Sequence, residues 1–207
     1  MKKSFLYSFL FFLSVSTFCS AQTTSQVDSL KQLLQSPPND SLACTWNNVL
    51  FSTYIIANPD SALFFGEKAK AMAEQIGSGA LIAENANTFG TYYSQKGDFK
   101  SAINYYLKSA KEFEKIDNQN GLADVRSNIG RLYYTLSELD KALPYYLEAL
   151  EVYQSNGNNS GLANVHNMLA ILAVGRGVLD SSIMYFEKGI VYAQKGGNLI
   201  EEARATA

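Results

Sequence analysis

The amino-acid sequence repeats with a period of 40 residues, and this period constrains the fold more than any other feature. When the chain is written in rows of forty from Ser41, the register holds through Ile200 with no insertion or deletion. The third position of every row is alanine: Ala43, Ala83, Ala123 and Ala163. A fixed period of this length is typical of repeat architectures, in which each unit buries an apolar face against its neighbours.

Each row predicts two amphipathic helices. In the third row, apolar residues recur at helical spacing over residues 122–136 and again over residues 139–153. A polar break separates the two segments, and residues 156–160 close the row as a loop. Pro144 falls inside the second segment, where it should cost a hydrogen bond and bend the helix without ending it. The pattern therefore predicts an all-α protein built from four helix pairs.

The first 21 residues have the composition of a secretory signal peptide. Two lysines precede an apolar run over residues 5–18, and Cys19 to Ala21 supply small residues for cleavage before Gln22. A lipoprotein anchored through Cys19 is the alternative, which the bulky Phe18 disfavours. The predicted product is exported to the periplasm or the extracellular space, with no membrane insertion after cleavage.

The predicted organisation follows from the signal and the period. Residues 22–40 form a linker or a short N-terminal capping helix. The four repeats are 41–80, 81–120, 121–160 and 161–200. Residues 201–207 continue the register as the opening of a fifth repeat. We expect a fragment of a longer array, a natural truncation, or a last repeat completed by another chain, which would allow self-association.

Small and aromatic residues alternate in a way that predicts close helix packing. Gly90, Gly130 and Ala170 occur on the first helices, and Ala102 and Ala142 occur early on the second helices. Side chains this small let two helix backbones approach closely, and large neighbours fill the space beside the contact. The neighbours are expected to be core residues rather than a ligand cage: Tyr93, Tyr106, Tyr133, Tyr146 and Phe186.

These residues resemble the tetratricopeptide-repeat pattern W-x2-L-G-x2-Y followed by A-x3-F. The second row gives Phe89-Gly90-x2-Tyr93 and then Ala102-x3-Tyr106, and the third row gives the same spacing around Gly130. The first row carries the tryptophan itself, Trp46. The signature positions are Trp46, Gly90, Tyr93, Ala102, Tyr106, Gly130, Tyr133, Ala142, Tyr146, Ala170 and Phe186. The resemblance implies a right-handed α-solenoid. It is a variant with longer helices, since its period of 40 residues exceeds the usual 34.

The resemblance also implies a function, because in this family the first helices line a concave groove that binds proteins or extended peptides. The implied groove positions are Asn47, Phe51, Tyr54, Asn87, Thr91, Gln95, Ser127, Arg131, Tyr134, Asn167 and Ile171. Three rows place asparagine at one position, and an amide can pair with a peptide backbone as both donor and acceptor. These amides could instead bond neighbouring helices. A single arginine disfavours recognition of a C-terminal carboxylate.

No constellation for catalysis, a cofactor or a metal is present in the sequence. His166 is the only histidine, which excludes a site with two histidine ligands and favours a packing role. Removal of the signal leaves Cys44 as the only cysteine and changes the formal net charge from −2 to −4. We expect Cys44 to be a buried hydrophobe, and we expect no nucleic-acid binding. The predicted function is a non-enzymatic interaction scaffold. The alternative is the truncated extracytoplasmic sensor region of a bacterial signalling protein.

Overall fold

A computed structural model describes residues 27–205 of the chain, and the side chains as far as residue 197. The predicted signal peptide, with Cys19, lies outside the described residues. Within residues 27–205 the chain forms helices and the turns that connect them. The helices are α1 (27–33), α2 (Asp40–Ala57), α3 (Pro59–Ile76), α4 (Gly79–Gln95), α5 (Phe99–Lys115), α6 (Gln119–Thr135), α7 (Leu139–Asn156), α8 (Asn159–Gly175) and α9 (Leu179–Ala205). The all-α fold of antiparallel helix pairs is therefore confirmed.

The helix starts reproduce the period of the sequence. Helices α4, α6 and α8 begin at residues 79, 119 and 159, and helices α5, α7 and α9 begin at residues 99, 139 and 179. The residue before each first helix, Ser78, Asn118 or Asn158, accepts a hydrogen bond from a backbone N–H of the first turn. The repeated loop sequence therefore acts as a repeated helix N-cap. Helix α7 contains Pro144 without interruption, as predicted.

The chain divides into two compact units, the first ending at Met72 and the second beginning at Ala73. In the first unit, the buried thiol of Cys44 donates to the carbonyl oxygen of Ala69 at 3.2 Å. Relative to the later repeats, the glycine and the aromatic ring have changed helices, and the ring of Phe51 follows the position that glycine holds later. Gly66 lies on the second helix, and a Cβ at this position would come within 2.8 Å of the Phe51 ring on the first helix. This repeat therefore achieves the same close packing with the partners reversed.

In the second unit, glycines on the first helices receive aromatic rings from the second helices. A Cβ on Gly90 would lie 2.4 Å from the ring of Tyr106, and one on Gly130 would lie 2.7 Å from the ring of Tyr146. Both tyrosines are almost fully buried. A side chain larger than hydrogen would displace the ring in each case, because packed interiors leave no spare volume. The predicted close approach of the helices within a pair is confirmed at these two positions.

A second set of glycines joins one pair of helices to the next. Gly121 on α6 faces the ring of Phe113 on α5, and Gly161 on α8 faces the ring of Tyr153 on α7, each with a hypothetical Cβ 2.4 Å from the ring. Both rings are buried. The recurring Gly-Leu-Ala sequence at the start of α6 and α8 is thus explained by contact with the preceding repeat.

The fourth pair departs from this pattern. Ala170 stands where Gly90 and Gly130 stand in the earlier repeats. Phe186, at the position of Tyr106 and Tyr146, is 39% exposed. The expectation that Phe186 is a core residue is therefore wrong. Its counterpart Tyr146 belongs to a buried cluster with residues of the next first helix, α8, whereas within the described residues α9 packs only against α8.

The C-terminal segment also differs from the expectation. The register predicts a new helix opening at Glu201, whereas α9 continues without a break through Gly196 and Gly197 to Ala205. A continuous helix satisfies the backbone N–H and C=O groups of this segment internally. The repeat boundaries inferred from the sequence remain predictions.

Candidate functional site

The first helices of the second unit line a polar cavity of about 310 Å³. Helices α4, α6 and α8 supply most of its wall, and α7 adds one tyrosine. We use the name polar cavity for the space lined by Asn87, Asp124, Ser127, Asn128, Arg131, Tyr153, Asn164 and Met168. Amide, hydroxyl, carboxylate and guanidinium groups therefore converge on one volume.

A chain of hydrogen bonds crosses the cavity from α4 to α6. The amide nitrogen of Asn128 donates to Oδ1 of Asn87 at 2.9 Å, and a guanidinium nitrogen of Arg131 donates to Oδ1 of Asn128 at 3.0 Å. The amide nitrogen of Asn87 and the remaining guanidinium donors have no protein partner within the described residues. Because the network fixes three side chains in place, it presents donors to a ligand with little further loss of side-chain entropy.

Asp124 and Tyr153 also line the polar cavity. The Tyr153 hydroxyl donates a hydrogen bond to Oδ1 of Asp124. Desolvation by the surrounding groups raises the pKa of the Asp124 carboxyl, although part of the residue is exposed, and the bond from Tyr153 opposes that rise. Burial raises the pKa of Tyr153 well above its ordinary value, and the hydrogen bond to Asp124 raises that pKa further. The Tyr153 hydroxyl therefore stays protonated at neutral pH and can donate this hydrogen bond.

The core tyrosines of the second and third repeats also approach this face. Oγ1 of Thr91 and the hydroxyl of Tyr106 are 3.2 Å apart, so one donates to the other. Burial raises the pKa of Tyr146 to about 12, and the charge of Arg131 partly opposes that rise. Arg131 occupies the position that Thr91 holds one repeat earlier.

An apolar pocket of about 280 Å³ lies between α8 and α9. We use the name apolar pocket for the space lined by Ala163, Asn164, Asn167, Phe186, Gly189, Ile190 and Ala193. Asn164 belongs to both walls, so the polar cavity and the apolar pocket adjoin along α8. Asn164 and Asn167 are exposed, and their side-chain amides have no hydrogen-bond partner in the described part of the chain.

The predicted groove residues are distributed between these surfaces and the core. Asn87, Ser127 and Arg131 line the polar cavity, and Asn167 lines the apolar pocket. Thr91 bonds Tyr106, as described above. Gln95 is exposed near the end of α4, whereas Tyr134 and Ile171 are partly buried on α6 and α8.

The three predicted groove residues of the first unit do not form an open surface. Asn47 and Phe51 are fully buried. The Asn47 amide donates to the carbonyl oxygen of Ala43 at 2.7 Å, and Phe51 is the ring that faces Gly66. Tyr54 is partly buried and stacks on Phe65 with ring centroids 5.8 Å apart. The expectation that Asn47 and Phe51 line the groove is corrected, because both side chains are used for packing.

The sequence reasoning missed five residues of the polar cavity: Asp124, Asn128, Tyr153, Asn164 and Met168. Asp124, Asn128 and Arg131 follow one another at spacings of four and three, which places them on one face of α6. Helical spacing measured from Arg131 would have identified Asp124 and Asn128. Tyr153 gave no such signal, because its ring fits the core pattern and only its hydroxyl reaches the cavity.

His166 takes the packing role expected from the sequence. Its side chain is buried and stacks on Tyr192 with ring centroids 5.4 Å apart and an interplanar angle of 4°. Nδ1 has no hydrogen-bond partner within the described residues. Within residues 27–205 no group of three His, Cys, Asp or Glu side chains is arranged to hold a metal ion. No helix of this part of the chain is both long and apolar enough to span a bilayer.

Several solved structures share the fold of this chain. The crystal structure of BtubC from P. vanneervenii superposes with a TM-score of 0.64 at 19% identity, over 86% of this chain and 76% of that one. Aspartyl phosphate phosphatase F from Bacillus subtilis gives 0.70 at 15% identity, over 86% and 50%. A STAND signal-transduction ATPase with a tetratricopeptide repeat sensor from Pyrococcus horikoshii gives 0.65 at 20% identity, over 89% and 29%. The chain thus spans half of the phosphatase and under a third of the ATPase. These similarities show a fold of repeated helix pairs.

Two family models show which kind of repeat the helix pairs are. Residues 121–194 match the tetratricopeptide repeat, and residues 13–112 match the SusR N-terminal TPR domain. No curated protein matches the sequence significantly. The chain belongs to the tetratricopeptide-repeat family, whose domains typically act as scaffolds for protein interaction.

Proposed function

We propose that this protein is an exported, non-enzymatic scaffold that holds an extended peptide segment of a partner protein along the polar cavity. The observation that carries the proposal is the hydrogen-bonded series Asn87, Asn128 and Arg131, which fixes side-chain donors along a face supplied by successive first helices. An extended peptide has unpaired C=O and N–H groups at regular intervals, which such donors and the exposed amides of α8 can satisfy. Export rests on the composition of residues 1–21.

Peptide display tests this proposal with random sequences as candidate ligands. The full chain is immobilised and a phage library of random dodecapeptides is selected against it. The most enriched sequence is then synthesised with a fluorescein label and titrated by fluorescence anisotropy. Asn128→Ala removes the amide that connects Asn87 to Arg131, and we expect it to weaken binding by about tenfold, the effect of about 1.4 kcal/mol.

Asn120→Ala is the matched control. Asn120 also lies on α6 and accepts hydrogen bonds from the amides of Asn156 and Asn158, but it does not line the polar cavity. We expect this control to bind like the wild type. The proposal fails when no peptide is enriched, or when both variants lose the same affinity.

A second candidate function is the sensor region of a signalling protein. Residues 13–112 match the SusR N-terminal TPR domain, so such repeats form the N-terminal domain of another protein. The ATPase from Pyrococcus horikoshii carries its tetratricopeptide repeats as a sensor. The genomic sequence beyond codon 207 tests this idea. An open reading frame that continues into a hydrophobic helix and an output domain supports the sensor, and a stop codon in every frame contradicts it.

A further inference from the structure

Two side chains of opposite charge line the polar cavity from one face of α6. Asp124 and Arg131 are seven residues apart in the sequence, which is about two helical turns, and both face the cavity. Neither forms an ion pair within the described residues. Arg126 on the same helix does have a counterion, since its Nε lies 3.2 Å from a carboxylate oxygen of Glu148. The two charges of the cavity are therefore left for solvent or for a ligand.

Both charged groups keep bonding capacity. Oδ1 of Asp124 accepts the hydrogen bond of Tyr153, whereas Oδ2 has no hydrogen-bond partner within the described residues. Desolvation raises the pKa of the Asp124 carboxyl, so a cation placed beside it would stabilise the ionised form. Arg131 uses one nitrogen to bond Asn128, and its other N–H donors match the two oxygens of a carboxylate. The cavity therefore suits a ligand that carries one cation and one anion.

The spacing of the two charges fits an extended peptide. The Arg131 guanidinium reaches back to Asn128, which places it about 6 Å from Asp124 along the axis of α6. In an extended chain, alternate side chains share one face and are about 6.6 Å apart. A peptide laid along α6 would therefore bring two alternate side chains opposite the two charges. The main chain between them would lie beside the amides of Asn87 and Asn128.

We propose that the polar cavity selects its peptide by charge, and that the bound segment carries one lysine or arginine and one aspartate or glutamate separated by a single residue. The basic side chain pairs with Asp124, and the acidic side chain pairs with Arg131. This inference rests on the proposed function, since the amides hold the main chain while the two charges select the side chains. An ion pair in a partly enclosed site is stronger than one on an open surface, because less water screens it.

The peptides enriched on the full chain supply the probe, and we expect a basic and an acidic residue at alternate positions in them. The selected peptide is synthesised with blocked termini, which removes its terminal charges. Asp124→Asn keeps an oxygen for the Tyr153 hydroxyl but removes the negative charge, and Arg131→Gln keeps an amide donor but removes the positive charge. We expect each variant to weaken binding of the labelled peptide by about tenfold.

Arg126→Gln and Glu148→Gln are the matched controls. They remove the same two charges from an ion pair whose members do not line the cavity. A pair near the surface contributes little to stability, so we expect both controls to fold and to bind like the wild type. Alanine in place of the acidic or the basic residue of the peptide tests the same contacts on the unaltered protein. Each of these changes should weaken binding by about tenfold.

An exchange of charge assigns the contact at Arg131. Arg131→Glu should weaken the selected peptide by more than tenfold. When the acidic residue of the peptide is changed to lysine, the altered peptide should bind Arg131→Glu more tightly than it binds the wild type.

Selection by charge is overturned when the peptides depend on Asn128 but bind Asp124→Asn and Arg131→Gln like the wild type, or when the two controls lose the same affinity. The proposed function survives both results. A selected peptide that binds only with free termini would assign the charges to chain ends and overturn the pairing with side chains. Failure to enrich any peptide overturns the proposed function itself.

Discussion

The hydroxyl of Tyr153 donates a hydrogen bond to the carboxylate of Asp124. The ring of the same tyrosine fills the space beside Gly161 and joins the third helix pair to the fourth. One side chain therefore contributes to both the packing between repeats and the wall of the polar cavity. The stability of this junction and the shape of the cavity are coupled through it.

Gly161→Ala tests how far the packing of the Tyr153 ring against α8 stabilises the junction between the third and fourth helix pairs. Its Cβ would lie 2.4 to 2.6 Å from three ring atoms of a buried tyrosine, so the ring or the helix must move. Overpacking of this kind costs about 1–3 kcal/mol, and we expect a lower urea midpoint by circular dichroism. Gly196→Ala is the control, because its nearest neighbours would be 3.8 and 3.9 Å away. There the higher helix propensity of alanine should stabilise by about 0.5–1 kcal/mol. Equal effects at the two sites would refute the packing assignment.

Tyr153→Phe tests the hydrogen bond between the Tyr153 hydroxyl and the Asp124 carboxylate. The ring remains, but Asp124 loses the hydrogen bond that opposes the desolvation of its carboxylate. We expect the pKa of Asp124, already raised, to rise further, and the ionised carboxylate to destabilise the fold more at neutral pH than at acidic pH. Carboxyl carbon chemical shifts followed over a pH titration measure the change. An Asp124 pKa that is the same in wild type and variant would show that the hydroxyl contributes nothing to the carboxylate.

His166→Phe tests a pH effect in the core. Burial, and to a smaller degree the charge of Lys188, lowers the pKa of His166 below its ordinary value of 6.5. The unfolded chain therefore binds a proton more readily than the folded one, and stability falls as the pH drops below 6.5 towards the lower folded pKa. Phenylalanine keeps the stacking on Tyr192 and removes the unpaired Nδ1.

The measurement for His166 is a comparison of urea midpoints at pH 7.5 and pH 5. The raised pKa values of Asp124 and Glu84 act in the opposite direction, because they favour the folded state at lower pH. Those contributions are common to both proteins, so the difference isolates the histidine. We expect the wild type to lose more stability on acidification than His166→Phe. An identical loss would contradict the assignment.

Most of the fold could be predicted because its rules are local and periodic. Gly90 with Tyr106 and Gly130 with Tyr146 recur at a fixed spacing, so a single sequence reveals the contact between two helices. Ala170 gave the same small-residue signal as the glycines, yet Phe186 is 39% exposed, because the burial of this ring in the third pair also depends on the helix that follows it. The spacing of small residues within one helix pair does not show whether a neighbouring helix covers the ring.

The candidate site was predicted less completely. The family pattern gives one line of residues along each first helix, whereas the cavity is lined by a wider face of the helix. Asn87 and Arg131 were found, whereas Asn128, which connects them, lies one position beyond the stripe that the family pattern identifies. In the first unit the same pattern pointed to Asn47 and Phe51, but Phe51 is buried against Gly66 and Asn47 is buried with its amide bonded to the Ala43 carbonyl. An exchange of partners across two helices leaves no trace in the periodicity of either helix.

The central claim is that the amides of the polar cavity bind a peptide directly, and side-chain amide signals in a ¹⁵N–¹H NMR titration test it most directly. We expect the NH2 signals of Asn87 and Asn128 to shift when the selected peptide is added to the full chain. Those of Asn156 and Asn158, which bond Asn120 away from the cavity, should stay in place. A titration in which the peptide binds while the signals of Asn87 and Asn128 do not move would contradict the account.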